Sequence, residues 1–286
     1  MKAYLRLMRV HHYMKNLLVL AALACSGQLF DRAKLLAGAA GFAAFCLVSS
    51  AVYIINDIRD RDKDRLHPTK RFRPIASGAV PRNRAVLLAA LLLAGAAGCN
   101  LAAFRLPSTG LLLLYLAINL AYSFGLKDIP IVDISILVAG FLIRVSYGAI
   151  VTGIAVSNWL YLTVTAAAFY FALGKRRNER KRAADDSTRK VLGAYTVEFL
   201  DKNMYMCLAL TNVFYALWSV DESTKALYNS NWLVFTVPMV LLITMKYSMT
   251  IEGESDGDPV EVLLHDKMLL ALCVIYLGLM FAILYL

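Results

Sequence analysis

The chain has 286 residues, 59% of them hydrophobic, with a mean hydropathy of +0.60 and only 17% Asp, Glu, Lys and Arg, where an ordinary soluble domain carries about 25% charged residues. The apolar residues come in blocks long enough to cross a bilayer, which excludes a soluble globular enzyme and gives an all-α, polytopic membrane protein. The net charge of +10 belongs to the loops of such a protein, so no nucleic-acid partner is read from it.

The chain opens on a basic segment, residues 1–16, which carries Lys15 and Asn16 and runs into a first apolar block, Leu17–Phe30, with no small-residue cleavage site. Blocks of spanning length follow at Leu35–Ile55, Ala85–Phe104, Leu106–Phe124, Ile131–Ile154, Met204–Val220 and Met268–Leu286, with shorter ones at Trp159–Gly174 and Trp232–Met245. A bilayer core of roughly 30 Å takes about 17–25 apolar residues per helix, so the pattern predicts nine spans. With a cytoplasmic N-terminus, residues 1–16, 56–84, 125–130, 175–203 and 246–267 fall on the inner face and hold 25 of the 30 Lys and Arg residues. Four (Arg32, Lys34, Arg105 and Lys225) fall on the outer face, and Arg144 lies inside a span. That asymmetry predicts a cell-membrane protein whose long polar loops are all cytoplasmic. With no repeat of 20–50 residues, the expectation is one domain over 1–286, capped by loops 56–84 and 175–203. The five cysteines lie in or beside apolar blocks at no ligand spacing and read as small hydrophobes.

After the second block stands YIINDIRDRDKDRLHPTKRFRPIASG, Tyr53–Gly78, with four aspartates and seven Lys/Arg residues. Asp57, Asp60 and Asp64 are spaced i, i+3, i+7, within roughly 60° of one another on a helix, while Asp62 falls on a different face. Three carboxylates on one face repel one another unless a cation sits among them. Hard oxygen donors suit Mg²⁺, which keeps waters and bridges carboxylates to substrate phosphates. Arg65, Lys70, Arg71 and Arg73 beside them are suited to phosphate oxygens. The bland alternative is a solvated loop whose aspartates balance its arginines, and the helical register together with the preceding Asn56 disfavours it. Asp57, Asp60 and Asp64 are therefore the candidate metal ligands and catalytic carboxylates.

Further along, YSFGLKDIPIVD brings Tyr122, Lys127 and Asp133 to the next cytoplasmic boundary. Arg144 follows Asp133 by 11 residues, close to three helical turns, so the two share a face. An intramembrane arginine is costly and faces a cavity or a partner; an anion-attracting group and a buried structural hub are both open here. GKRRNERKR, Gly174–Arg182, offers Lys175, Arg176 and Glu179 in a basic run that can bind phosphate but cannot chelate magnesium. SDGDPVE lacks the full calcium-loop pattern and reads as a turn, Asp256 and Asp258 becoming minor candidates for shaping the site only through the resemblance given below, and the four histidines have no ligand spacing. Nucleotide-hydrolysis, dinucleotide and serine-hydrolase motifs do not occur.

NDIRDRDKD has the form N-D-x-x-D-x-x-x-D and resembles the first aspartate-rich motif of the UbiA superfamily of intramembrane prenyltransferases. The resemblance implies nine helices around a central cavity that opens to the cytoplasmic side, with Mg²⁺ holding a diphosphate. Members carry a second aspartate-rich motif after the sixth span. Here the basic run from Lys175 stands instead, which implies a different phosphorylated substrate. RVHHYMKN, with Val10 in place of a proline, HPTKRFRPIASG and GDPVEVLLHDK are similar to the decaprenyl-phosphate phosphoribosyltransferase branch. That likeness implies transfer of 5-phosphoribose from 5-phosphoribosyl diphosphate (PRPP) to a polyprenyl phosphate. Candidate substrate-binding residues are then Lys15, Asn56, Arg65, Lys70, Arg73, Tyr122, Lys127, Asp133, Arg144, Lys175, Arg176 and Glu179. Two other readings compete: UbiA-type transfer of a prenyl chain to an aromatic or other small acceptor, and a transporter or lipid scaffold. Carboxylates grouped at one membrane face speak against the transporter, whose sites lie near the midplane.

Overall fold

The computed structural model describes residues 2–102, 106–182, 190–253 and 257–286. Phe104 and Arg105, residues 183–189 of the second cap, and Asp256 lie outside them. Every regular element among the described residues is a helix. In chain order the α-helices and the longest 3₁₀ helix are α1 (Lys2–Met8), a 3₁₀ helix (Val10–Leu20), α2 (Ala21–Ala24), α3 (Arg32–Arg59), α4 (Arg61–Leu66), α5 (Arg82–Ala102), α6 (Leu106–Ser123), α7 (Val132–Thr152), α8 (Asn158–Arg182), α9 (Val197–Val220), α10 (Glu222–Tyr228), α11 (Val237–Glu252), α12 (Pro259–His265) and α13 (Lys267–Tyr285), with shorter 3₁₀ turns at Lys70–Phe72, Leu126–Asp128, Lys190–Ala194 and Trp232–Thr236.

Several helices begin where the sequence supplies a side-chain acceptor for the orphan N–H groups of the first turn. Asp31 accepts from the amides of Ala33 and Lys34 at the start of α3, Thr196 from Phe199 at α9, and Asp266 from Met268 and Leu269 at α13. Six helical stretches among the described residues are long and apolar enough to cross a membrane: α3, α5, α6, α7, Trp232–Glu252 and α13. The other three expected spans are helical but fall short of that measure. Leu17–Phe30 is divided among the end of the 3₁₀ helix, α2 and a turn from Cys25 on, α8 runs on into its basic end, and α9 carries Glu198, Asp201 and Lys202 in its first two turns. The apolar faces are left bare: only 11% of α13 is buried, and Leu87, Leu91, Val274 and Leu277 are exposed. Apolar surface on this scale calls for lipid, and helices are the spanning element that satisfies its own backbone there. The chain is a multi-pass membrane protein.

Contacts divide the chain into two compact units. One comprises Met1–Ala24, Gln28–Gly125 and Ile143–Ala155; the other comprises Cys25–Gly27, Leu126–Leu142 and Val156–Leu286. The first unit packs Val19, Phe45, Val48, Leu112, Tyr115 and Tyr147 into one cluster. A second cluster sets Leu7 and Ile54 against Ile75 and Val80 of the loop after α4. Gly148 of α7 admits the 3₁₀ helix at backbone distance, since a Cβ there would stand 1.8 Å from the carbonyl oxygen of Val19. In the second unit Tyr170, Leu200, Met204, Ile251 and Leu269 form the main core, and Tyr215, Trp218, Leu233 and Met280 a smaller one. Gly257, at φ +78°, lies against α8 so closely that a Cβ would be 2.8 Å from the Cα of Lys175.

Candidate active site

The apolar run of α3 carries the aspartate motif to its last turn. α3 stops at Arg59, Asp60 takes the cap position, and α4 resumes at Arg61. The helical hydrogen-bond rhythm survives the break, because Asp60 N donates to Asn56 O at 2.9 Å and Asp64 N to Asp60 O at 2.8 Å. Asp57 and Asp64 are accordingly both buried, 2% and 4% exposed, whereas Asp62 is exposed as its register requires. Asn56 is fixed from the side by Ser123 Oγ of α6, which donates to its Oδ1.

Two guanidinium groups meet these carboxylates. Arg73 Nη1 donates to Asp64 Oδ2 at 2.7 Å and lies 3.3 Å from Asp57 Oδ1. Arg9 Nη2 donates to the same Asp57 oxygen at 2.8 Å, and its guanidinium carbon sits 4.6 Å from the Tyr53 ring centroid. Arg9 is left-handed, φ 52° and ψ 50°, at the junction of α1 and the 3₁₀ helix. That conformation is sparsely populated by non-glycine residues and persists where surrounding contacts hold it. Those contacts are at hand: Tyr13 OH pairs with Ser50 Oγ at 2.9 Å, Ser50 Oγ donates to Met8 O at 2.9 Å, and His12 Nδ1 lies 3.1 Å from Tyr53 OH. No local signal in RVHHYMKN marks its first residue, Arg9, as part of this site.

Other members of the loop turn inward on the protein itself. Arg65 Nε donates to Ala76 O at 3.1 Å, so this residue braces the loop that delivers Arg73. His67 Nδ1 accepts from the amides of Thr69 and Lys70 at 3.2 and 3.3 Å; burial, then the Lys70 charge, lowers its pKa. Lys70 and Arg71 are exposed, and Lys15 and Tyr122 are half-buried.

The donor set fits a hard divalent cation. Two buried carboxylates already share one positive group, and Mg²⁺ is commonly held by one or two carboxylates together with substrate phosphates. The expected cage of three does not form: among the described residues no three His, Cys, Asp or Glu side chains gather as a ligand group. Asp60 is half-buried at the corner between the two helices.

In the second unit the basic run is anchored rather than open. Arg176, 1% exposed, donates through Nε to Asp133 Oδ2 at 2.5 Å and through Nη1 to Glu179 Oε2 at 2.6 Å. Tyr195 OH donates to the other oxygen of Asp133 at 2.6 Å and accepts the amide of Ile131 at 2.5 Å. Ile131 has φ 68°, an uncommon state for a β-branched residue, and this hydrogen bond holds it there. Burial and the bond to Asp133 push the Tyr195 hydroxyl up to about 12, so it stays a donor at any working pH. Arg177 Nε pairs with Asp201. Lys175, about one-third exposed, lies 3.7 Å from Asp258 Oδ2, and Lys127 is half-buried. Asp258 also caps α12 by accepting from Val260 N, which fits the turn read at SDGDPVE.

Arg144 and Asp133 serve separate networks despite their shared face. In the first unit Arg144 Nε donates to Asn16 Oδ1 at 2.8 Å and Nη2 to Tyr115 OH at 3.1 Å, with its guanidinium carbon 4.9 Å from the Phe45 ring centroid. Asn16 in turn donates to Ser49 Oγ at 3.1 Å. The structural-hub alternative describes these contacts.

Comparison with known proteins bears on the same residues. The model of the UbiA prenyltransferase family matches residues 17–258. A decaprenyl-phosphate phosphoribosyltransferase of Mycolicibacterium smegmatis is 35% identical over 98% of this chain and 92% of its own. One of Corynebacterium glutamicum is 33% identical over 93% and 81%. Among solved structures, a UbiA homolog from Archaeoglobus fulgidus bound to GPP and Mg²⁺ superposes with a TM-score of 0.71 over 99% of both chains at 20% identity, a likeness of fold. The chain belongs to the UbiA prenyltransferase family.

Proposed function

We infer that this protein transfers 5-phosphoribose from PRPP to a decaprenyl-type polyprenyl phosphate and releases diphosphate. The observation that carries the reading is the likeness, over more than nine-tenths of the chain, to two relatives named for that activity. The basic run beginning at Lys175, where an acidic motif would suit prenyl transfer, supports the same choice.

In the reaction the C1–O bond of PRPP breaks and the diphosphate leaves with the bonding electron pair. An oxygen of the lipid phosphate forms the new bond to C1. That phosphate is already anionic near neutral pH, so no general base is needed. A divalent cation, Mg²⁺ by the chemistry of the donors, supplies charge neutralisation for the leaving diphosphate. Asp57 and Asp64 would hold it, with Asp60 and Asn56 adjoining them. Arg9 and Arg73 offer guanidinium donors to phosphate oxygens. Lys15, Lys70, Lys127 and Lys175 are exposed or half-buried cations assigned to phosphates by residue type, and Tyr122 stands five positions before Lys127. Arg65, Asp133, Arg144, Arg176 and Glu179 act in this reading by bracing their neighbours. The Lys/Arg asymmetry supports nine spans with the N-terminus and polar loops at the cytoplasmic face of the cell membrane, the whole chain working as one domain.

The test is purified protein with Mg²⁺, PRPP and a polyprenyl phosphate, following diphosphate and phosphoribosylated lipid together. Both should form, and EDTA should abolish both. Turnover of a prenyl diphosphate with an aromatic acceptor, and none with PRPP, would transfer the assignment to prenyl transfer.

A further inference from the structure

Arg73 Nη1 is 2.7 Å from Asp64 Oδ2 and 3.3 Å from Asp57 Oδ1, while Arg9 Nη2 is 2.8 Å from that same Asp57 oxygen. The carboxylates are buried, with 3% and 6% of their side chains exposed, but Arg9 and Arg73 keep 22% and 29% of theirs at the surface. Two positive groups thus face two negative ones, and the positive pair has a way out. Both arginines hang on turns: Arg9 is the left-handed junction before the 3₁₀ helix, and Arg73 caps the short turn Lys70–Phe72.

We propose that Arg9 and Arg73 are exchangeable internal counter-ions, which hold Asp57 and Asp64 in the metal-free protein and turn to the diphosphate when a divalent cation takes those oxygens. The inference rests on the metal assignment made above. Two buried carboxylates seven residues apart would raise each other's energy if left bare, so a cation must serve them before any ligand arrives. Once a divalent cation is bound at the same oxygens, a guanidinium within about 4 Å of it is repelled. The planar fork matches phosphate as well as carboxylate, so diphosphate gives the displaced side chains a second partner. Metal and diphosphate should therefore bind cooperatively, each improving the other through the arginines.

The experiment uses the full-length protein in detergent. Mn²⁺ binding is measured by electron paramagnetic resonance with and without inorganic diphosphate, and thermal unfolding is measured in EDTA. The proteins are the wild type, Arg73→Gln and Arg73→Lys. In EDTA, Arg73→Gln should melt about 3 °C or more below the wild type, the shift expected from losing a shared buried counter-ion. Without diphosphate, Mn²⁺ should bind Arg73→Gln about tenfold tighter, since the ligand no longer displaces a resident competitor. Added diphosphate should raise Mn²⁺ affinity more in the wild type than in Arg73→Gln. Arg73→Lys, which keeps one charge but loses the fork, should fall between them. Equal or weaker Mn²⁺ binding by Arg73→Gln without diphosphate overturns the proposal and leaves the metal assignment standing. No Mn²⁺ binding by any of the three, the wild type included, overturns the metal assignment and this proposal with it. Should Arg73→Gln fail to fold, a wild-type affinity in Arg73→Lys overturns the exchange.

Discussion

Asp57 is the residue on which both arginines converge, and its conservative replacement is informative for that reason. Asp57→Asn keeps the volume and removes the charge, so it should lower turnover by about 10²-fold or more, the cost of losing one preorganised charge-stabilising group. The product assay measures that loss, and an unchanged gel-filtration profile in detergent would show that the fold persists. Wild-type activity would remove Asp57 from the metal site. Tyr195 tests the second unit. Tyr195→Phe strips exposed Ile131 N–H of its acceptor and buried Asp133 of a donor, and a buried group left short of a partner costs about 1–3 kcal/mol. Thermal unfolding should show the deficit, and an unchanged midpoint would mean that Ile131 keeps its left-handed backbone by other means. Local sequence gave no sign of Tyr195, which reaches Asp133 from 62 positions away. Arg9 was hidden in the same way: nothing in RVHHYMKN says that a left-handed turn will aim its first residue at a carboxylate 48 positions on.

Helices were the most legible part of the chain, because apolar blocks and their capping residues are local features. The block Leu35–Ile55 lies wholly inside α3, which runs three residues further at its start, where Asp31 caps it, and four further at its end. The break at Asp60 does not, since periodicity alone carries the helix through to Asp64. GKRRNERKR shows the limit of reading charge locally: a run that looks like an open anion clamp has its first arginine, Arg176, consumed by Asp133, 43 positions back. The start of α13 supports a pH prediction. Asp266 caps it and also accepts from Lys246 Nζ at 2.7 Å and Thr250 Oγ1 at 2.6 Å. The lysine first, then the threonine hydroxyl and the helix amides, hold its carboxyl well below the ordinary carboxylate range. A depressed folded-state pKa gives stability that is complete above the unfolded value and fades as pH falls below it. At pH 7 Asp266→Asn should therefore melt below the wild type, and the gap should begin to narrow below about pH 4 and keep narrowing through pH 2. A gap of constant size between about pH 5 and pH 2 would show that the carboxylate's charge is not what stabilises the fold there.

For the molecule as a whole, membrane class and family are visible in composition and in one motif, whereas the number of crossings is a prediction to be measured. Nine crossings from a cytoplasmic N-terminus put Leu286 outside. Alkaline phosphatase fused after Leu286 should be active and a fluorescent protein there dark, with the reverse at loop 56–84. The opposite C-terminal result would mean an even number of crossings. The helices themselves also act as rulers. α3 has 28 residues, about 42 Å at 1.5 Å each, against a hydrocarbon core of about 30 Å. Measured from its capped start, the surplus of about 12 Å is its last two turns, which carry Asn56 and Asp57. The motif thus stands on a pier beyond the oil, where its carboxylates can be walled in by protein without being sunk in lipid. A thicker bilayer would drown that pier, so the acyl length of the surrounding lipid becomes a control on the chemistry at its tip.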